Sequence, residues 1–233
     1  MAAFRAAIDL GYRYLETDVR TTRDGVVVAF HDATLDRVTD RSGRIADLSW
    51  REVARARIGG AEPVVRLEDL LTAWPYVRFN IDIKDPASIA PFARAIDRTR
   101  THERVCVASF SDRRRRSVLR RLSAPVATSG GRFTVATFRM AAAAGRLGAL
   151  VAHTLRQVDC LQVPERVGPA TVVTPGTVAA AHAAGKHVHV WTVNDQTAMH
   201  RLLDRGVDGL ISNRADVLRD VMRVRGCWVE SHS

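Results

Sequence analysis

Along the chain the spacing of apolar positions switches repeatedly between a helical and a strand period, and each switch predicts an element. Residues 2–10 set Phe4, Ala7 and Ile8 on one face of a helix, with Gly11 as its stop. Residues 14–19 read as a strand, 21–25 as a turn carrying the Asp24-Gly25 hairpin signal, and 26–30 as a second apolar run ending at His31. A long polar excursion over 32–66 carries one short helix at 49–56, with Ser49 as cap and Glu52 at the capping-box position. Residues 67–74 predict a helix stopped by Pro75.

Beyond it, strands and helices alternate. Strands are expected at 78–84, 105–110, 125–128, 160–163, 186–193 and 209–211. Helices are expected at 86–99, 111–122, 133–147, 174–184, 195–205 and 214–224. With no antiparallel block after the early hairpin, this pattern argues for a parallel sheet in an α/β fold. The regular intervals favour a TIM (β/α)8-type barrel in one domain spanning 1–233, and no phosphate-cradling Gly-x-Gly-x-x-Gly or P-loop follows any strand. Seven barrel strands are visible and the chain opens on a helix, so the first strand of the barrel is not in the sequence.

Composition narrows the class. Of 233 residues, 46% are apolar and 26% charged, a folded rather than a disordered balance. No apolar run approaches the ~20 residues a transmembrane helix needs. The net charge is +10, and 33 of the 35 basic residues are arginine, spread over the chain with one dense run at Arg113–Arg116. No zinc-finger spacing or aromatic RNA-binding signature accompanies them, so nucleic acid is not an expected partner. The surplus reads as an arginine-for-lysine bias with a mild attraction to anions. Cys106, Cys160 and Cys227 are odd in number and far apart, which suggests neither a disulfide framework nor a zinc site. No signal-peptide pattern opens the chain, and if Met1 is the true start a cytoplasmic location is expected.

The candidate chemistry sits early. Glu16 and Asp18 are two apart in a strand and point to one side. Converging carboxylates suit a hard cation such as Ca2+ or Mg2+, although a solvated strand face has the same spacing. On the next parallel strand Asn80, Asp82 and Lys84 share a face. If the two strands are neighbours at about 4.8 Å, Glu16, Asp18 and Asp82 bring three carboxylates together beside one ammonium. Carboxylates so close repel unless a metal or protons intervene. A simple Asp82–Lys84 ion pair is the alternative. His31 can donate or accept a proton near neutral pH, or be a loop histidine. His187 and His189 alternate in a strand and are expected to face the barrel interior or support the site. Trp191, ending the seventh visible strand, is either a substrate platform or core.

The run Tyr14-Leu15-Glu16-Thr17-Asp18-Val19, then Asp24-Gly25, then His31-Asp32-Ala33-Thr34-Leu35-Asp36-Arg37-Val38-Thr39, resembles the core signature of the glycerophosphodiester phosphodiesterase family. The resemblance continues through Asn80-Ile81-Asp82-Ile83-Lys84, Ser109-Phe110, Leu161-Gln162-Val163-Pro164 and Val190-Trp191-Thr192-Val193-Asn194. It ends in Gly206-Val207-Asp208-Gly209-Leu210-Ile211-Ser212-Asn213. It implies a TIM barrel that hydrolyses glycerophosphodiesters to sn-glycerol 3-phosphate and an alcohol with a divalent cation, Ca2+ or Mg2+. By resemblance Glu16, Asp18 and Asp82 are metal ligands, with Asp82 standing where the family usually has glutamate. Lys84 stabilises phosphoryl charge, and His31 protonates the leaving alkoxide.

The sequence departs from the family at its start. Members open with a strand ending in His-Arg-Gly and a loop carrying Pro-Glu-Asn-Thr, and neither precedes the helix at 2–10. The absent histidine is the second acid/base group and the absent arginine a phosphate ligand. A misplaced start, a genuinely shortened relative, or another segment such as Cys227-Trp228-Val229 filling the gap would each account for it. A non-catalytic relative that binds metal or a phosphorylated ligand, and a phospholipase-D-like phosphodiesterase on the same barrel, are the competing functions.

Overall fold

A computed structural model describes residues 1–143 and 148–228, as two compact units, 1–127 and 128–233. Both are α/β, and among the described residues each of the seven expected parallel-type strands is present.

In the first unit the strand Tyr14–Thr21 lies at the centre of the sheet. Arg78–Ile83 pairs with it in parallel, and Val105–Ala108 pairs in parallel with Arg78–Ile83. Val27–Ala29 returns antiparallel on the other side, and Val65–Arg66 adds antiparallel beyond it. The hairpin turn is built as its sequence demands. Gly25 takes φ +85°, a left-handed conformation that costs glycine little. The Thr22 hydroxyl donates to the Asp24 carboxylate at 2.6 Å and accepts the Val26 N–H at 3.0 Å.

Strand alternation separates two faces. Leu15, Val19, Phe79, Ile81 and Ile83 are buried in one core with Leu67, Leu70 and Leu71 of the helix Leu67–Ala73 and Phe92 and Ile96 of the helix Ile89–Thr99. Glu16, Asp18, Asn80 and Asp82 take the opposite face. Burying an aliphatic side chain stabilises by about 1.5–3 kcal/mol, so a one-residue slip of either strand would exchange core for carboxylates.

The excursion at 32–66 is more organised than its polarity predicts. Leu35, Ile45, Val53, Ala56 and Val64 bury against Val28 and Phe30 in a second core. The Ser49–Glu52 capping box forms, with Ser49 N–H donating to the Glu52 carboxylate at 2.7 Å, but its helix is only Trp50–Val53. A short antiparallel pair, Arg57–Ile58 with Glu62–Pro63, completes the segment. These few apolar residues lie too far apart in sequence to show a period.

In the second unit Cys160–Pro164, His187–Trp191 and Gly209–Leu210 form a parallel sheet. Pro175–Ala183 is capped by Thr174 and Gln196–Asp204 by Asp195. The helix expected at 133–147 is Arg132–Ala143, and its last four expected residues lie outside the described residues, as does Val229. A further helix, Gly148–Leu155, stands where the sequence suggested none. A small antiparallel pair, Arg166–Val167 with Ala170–Thr171, likewise interrupts the expected purely parallel pattern. Cys160 is buried and Cys106 half-buried. Among the described residues no helix is long and apolar enough to cross a membrane.

Candidate active site

Register puts the candidate carboxylates together. Asp18 pairs with Asp82, and Glu16 with Asn80, across the two parallel strands. Lys84, just past the end of its strand, reaches back along the shared face. Its Nζ stands 2.7 Å from Asp18 Oδ1 and 2.8 Å from Asp82 Oδ2. All three side chains are largely buried, the Asp82 carboxyl most of all at 9% exposure. The Lys84 ammonium also lies 5.3 Å from the centre of the Phe110 ring, within the range of a cation–π contact.

Electrostatics mark this as a crowded anionic site. Desolvation, then Asp18, push the Glu16 carboxyl up to about 8, against the pull of Lys84. Glu16 lies deep among protein atoms yet keeps an exposed surface in the cleft, so solvent tempers that penalty. Burial also raises Asp18, opposed by its hydrogen bond from Lys84. For Lys84 burial disfavours the ammonium, but the hydrogen bonds to Asp18 and Asp82 outweigh it and the group is held above its ordinary value.

Glu16 and Asp18 line a cleft of about 250 Å3 together with Phe30, His31, Asp32 and Arg37. The structure therefore brings five of the six expected site residues into one unit: Asp18, Asp82 and Lys84 as a contacting cluster, and Glu16 and His31 on the wall of the adjoining cleft. His31 is exposed, at 66% of its side chain, and its Nδ1 lies 2.7 Å from Asp32 Oδ1. The sixth, Trp191, ends the strand His187–Trp191 of the second unit and is half-buried. Asn194, three residues on, accepts from the Asn213 N–H at 2.9 Å and the Ser212 hydroxyl at 3.1 Å, tying two of the sequence blocks together.

One other expectation changes. His187 does not support the site from within the sheet. It is 69% exposed at the start of its strand, where Asp208 holds it at 3.4 Å beside His182 at 2.8 Å. His189 is half-buried, with Nδ1 3.5 Å from the Gln162 amide. Arg20, by contrast, was not legible as a site residue. Its Nε and Nη2 donate to the His31 carbonyl at 3.1 and 3.0 Å. The available signal was strand alternation, which puts Arg20 on the side of Glu16 and Asp18.

Whether these residues suit a divalent cation is answered by their chemistry. They are hard oxygen donors, Asp82 Oδ1 is buried without a hydrogen-bond partner, and the Glu16 carboxyl, raised first by burial, also feels Asp18 more strongly than it feels Lys84. That donor set fits. As placed, though, Lys84 stands between Asp18 and Asp82, and among the described residues no three acidic, histidine or cysteine groups converge on one point.

The glycerophosphoryl diester phosphodiesterase family matches residues 1–217. "Probable glycerophosphodiester phosphodiesterase 2" of Mycobacterium tuberculosis is 47% identical over 228 residues, covering 98% of this chain and 86% of that protein. A glycerophosphodiester phosphodiesterase of Caldanaerobacter subterraneus is 26% identical over 97% of this chain and 92% of its own length. Among solved structures, a glycerophosphodiester phosphodiesterase of Agrobacterium tumefaciens superposes with a TM-score of 0.72 at 23% identity, covering 95% and 91% of the two chains. A phosphodiesterase of Oleispira antarctica, solved in complex with the product sn-glycerol-3-phosphate, does so at 0.75 and 19% identity over 95% and 89%. These likenesses give the fold, the α/β barrel type that the alternating pattern predicted. With a family match over nearly its whole length and a near relative at almost half identity, the chain belongs to the glycerophosphoryl diester phosphodiesterase family.

Proposed function

We propose that this chain hydrolyses glycerophosphodiesters to sn-glycerol 3-phosphate and an alcohol. The observation that carries the reading is the Asp18–Lys84–Asp82 cluster, with Glu16 beside it, on adjacent parallel strands of a chain that belongs to this family. Family membership and the product-bound relative support the substrate class.

Glu16, Asp18 and Asp82 would hold a divalent cation, Ca2+ or Mg2+, which when bound supplies positive charge to a phosphoryl group. Lys84 offers a second cation for the phosphoryl oxygens, in a site where low exposure strengthens each interaction. His31, on the cleft wall, is the general acid that protonates the departing alkoxide. Trp191 provides an apolar platform for substrate, and residues 1–233 act as a single domain. Asp82, one methylene shorter than the glutamate usual in the family, reaches less far toward a cation.

The test is release of sn-glycerol 3-phosphate from glycerophosphocholine by the 1–233 chain, after chelation and after adding back Ca2+ or Mg2+. Cation-dependent release is the expected result. A chain extended upstream by a His-Arg-Gly strand reads what that strand adds, and no release from either form overturns the reading. Glu16→Ala and Asp18→Ala should each abolish cation-dependent turnover, and activity retained in both refutes the ligand assignment.

A further inference from the structure

His31 stands on an exposed loop, where a lone imidazole would sample several rotamers and both neutral tautomers. The structure constrains it from two sides. Asp32 Oδ1 lies 2.7 Å from Nδ1, and the other oxygen, Oδ2, accepts from Arg37 Nε at 2.5 Å. Arg20, on the strand that carries Glu16 and Asp18, grips the His31 carbonyl with two guanidinium nitrogens. Backbone, ring and the carboxylate behind the ring are thus each held by a separate contact.

We propose that Asp32 and Arg37 are positioning residues for His31, fixing its proton on Nδ1 and reserving Nε2 for the substrate. A carboxylate can only accept, so the 2.7 Å contact requires Nδ1–H. The neutral ring then has its lone pair on Nε2, and the protonated ring has a donor there. Arg37 occupies the second carboxylate oxygen and so prevents Asp32 from turning away. Its hydrogen bond, and after it that of His31, holds the Asp32 carboxyl down at about 2, so the group stays ionised over the working range of such an enzyme.

The proposal rests on the reading of His31 as the acid. In that step water attacks phosphorus and releases its proton to solvent while the bond to the leaving oxygen breaks. The leaving oxygen takes that bond's electron pair and the Nε2 proton of the imidazolium. His31 is left neutral with Nδ1–H still on Asp32, which is the tautomer the contact selects.

The decisive measurement is imidazole 15N NMR of the full chain. His31 is expected as the Nδ1–H tautomer in the wild type and as predominantly Nε2–H in Asp32→Asn, whose amide can present N–H to Nδ1. A tautomer unchanged by the substitution overturns the proposal, whatever the activity. In turnover, Asp32→Asn and Arg37→Gln should lower kcat on glycerophosphocholine about 10–100-fold, the scale of losing an outer partner of a histidine, with KM nearly unchanged. The loss should shrink on a p-nitrophenyl phosphodiester, whose leaving group needs no proton, and an equal loss on both substrates speaks against positioning. Arg37→Lys, lacking the fixed Nε fork, should rescue only in part. His31→Ala separates the two levels. If it leaves glycerophosphocholine turnover intact, the acid reading fails, while the tautomer measurement still decides the positioning.

Discussion

Asp18 and Asp82 are register partners on adjacent parallel strands, and the one ammonium of Lys84 stands 2.7 Å from the first and 2.8 Å from the second. Two buried carboxylates with one shared cation make that lysine structural as well as chemical. Lys84→Met should destabilise the fold by about 3–5 kcal/mol, the usual cost of stranding buried charge. Lys84→Arg, which keeps the charge in a bulkier fork, should recover part of it. Urea denaturation at neutral pH reads both, and a Met variant as stable as wild type would show that the two aspartates do not depend on their counter-ion.

Glu16 gives the site a pH signature. Its carboxyl is raised from 4.5 to about 8 by desolvation and then by Asp18. Between those values the folded protein holds a proton that the unfolded chain has already released. Stability of the chelated protein should therefore be greatest below about pH 4.5 as far as this group is concerned, fall as pH rises toward 8, and level off above it. Glu16→Gln cannot ionise, so its urea midpoint should decline less over this window and exceed the wild-type midpoint at pH 8 or above. Added Ca2+ or Mg2+ should flatten the wild-type curve if Glu16 is a cation ligand. Parallel curves for the two proteins would place the strain elsewhere.

The sequence disclosed the site wherever a short period sufficed. Glu16 and Asp18, and Asp82 and Lys84, share faces because strand residues alternate, and one assumption of neighbouring strands joined the pairs. Residues whose role is set by tertiary contact were not visible. Arg20 touches a carbonyl eleven residues away, and Arg37 becomes relevant only once Asp32 is seen to face His31. Composition also misled over 32–66, where a handful of buried apolar residues suffices because the segment closes on Val28 and Phe30. The alternation of His187 and His189 correctly gave a strand, but not that His187 lies at its exposed start.

In the second unit the close approach of Gly209 to His189 is a packing requirement. A Cβ at Gly209 would lie 2.9 Å from His189 Cδ2, closer than real Cβ contacts come, with Cγ next at 3.4 Å. The two residues are register partners in the parallel pair, so neither backbone can move without disturbing the ladder. Gly209→Ala should cost about 1–3 kcal/mol, as overpacking does in an ordered interior. The double variant with His189→Ala should recover most of that. Thermal unfolding of the single and double variants checks it, and additive losses would show that the ring is not the obstacle.

Asp208 joins the same sheet through hydrogen bonds rather than packing. Its Oδ2 accepts the Val188 N–H at 2.7 Å and meets His182 Nε2 at 2.8 Å, while Oδ1 faces His187 Nδ1 at 3.4 Å. Burial raises this carboxyl, but the bonds from Val188, His182 and His187 prevail and hold it below its ordinary value. A depressed carboxyl stabilises the fold above its unfolded value of 3.8 and loses that contribution as pH falls through the folded one. Asp208→Asn should therefore cost about 1–2 kcal/mol near neutral pH, the price of weakened hydrogen bonds to a partly buried acceptor. The deficit should begin to close as the pH falls below 3.8 and vanish only below the still lower folded value, where the wild-type carboxyl is itself neutralised. Urea midpoints for the two proteins between pH 3 and 7 decide the matter. A gap that stays constant across that range would mean that the asparagine disturbs the fold for reasons other than charge.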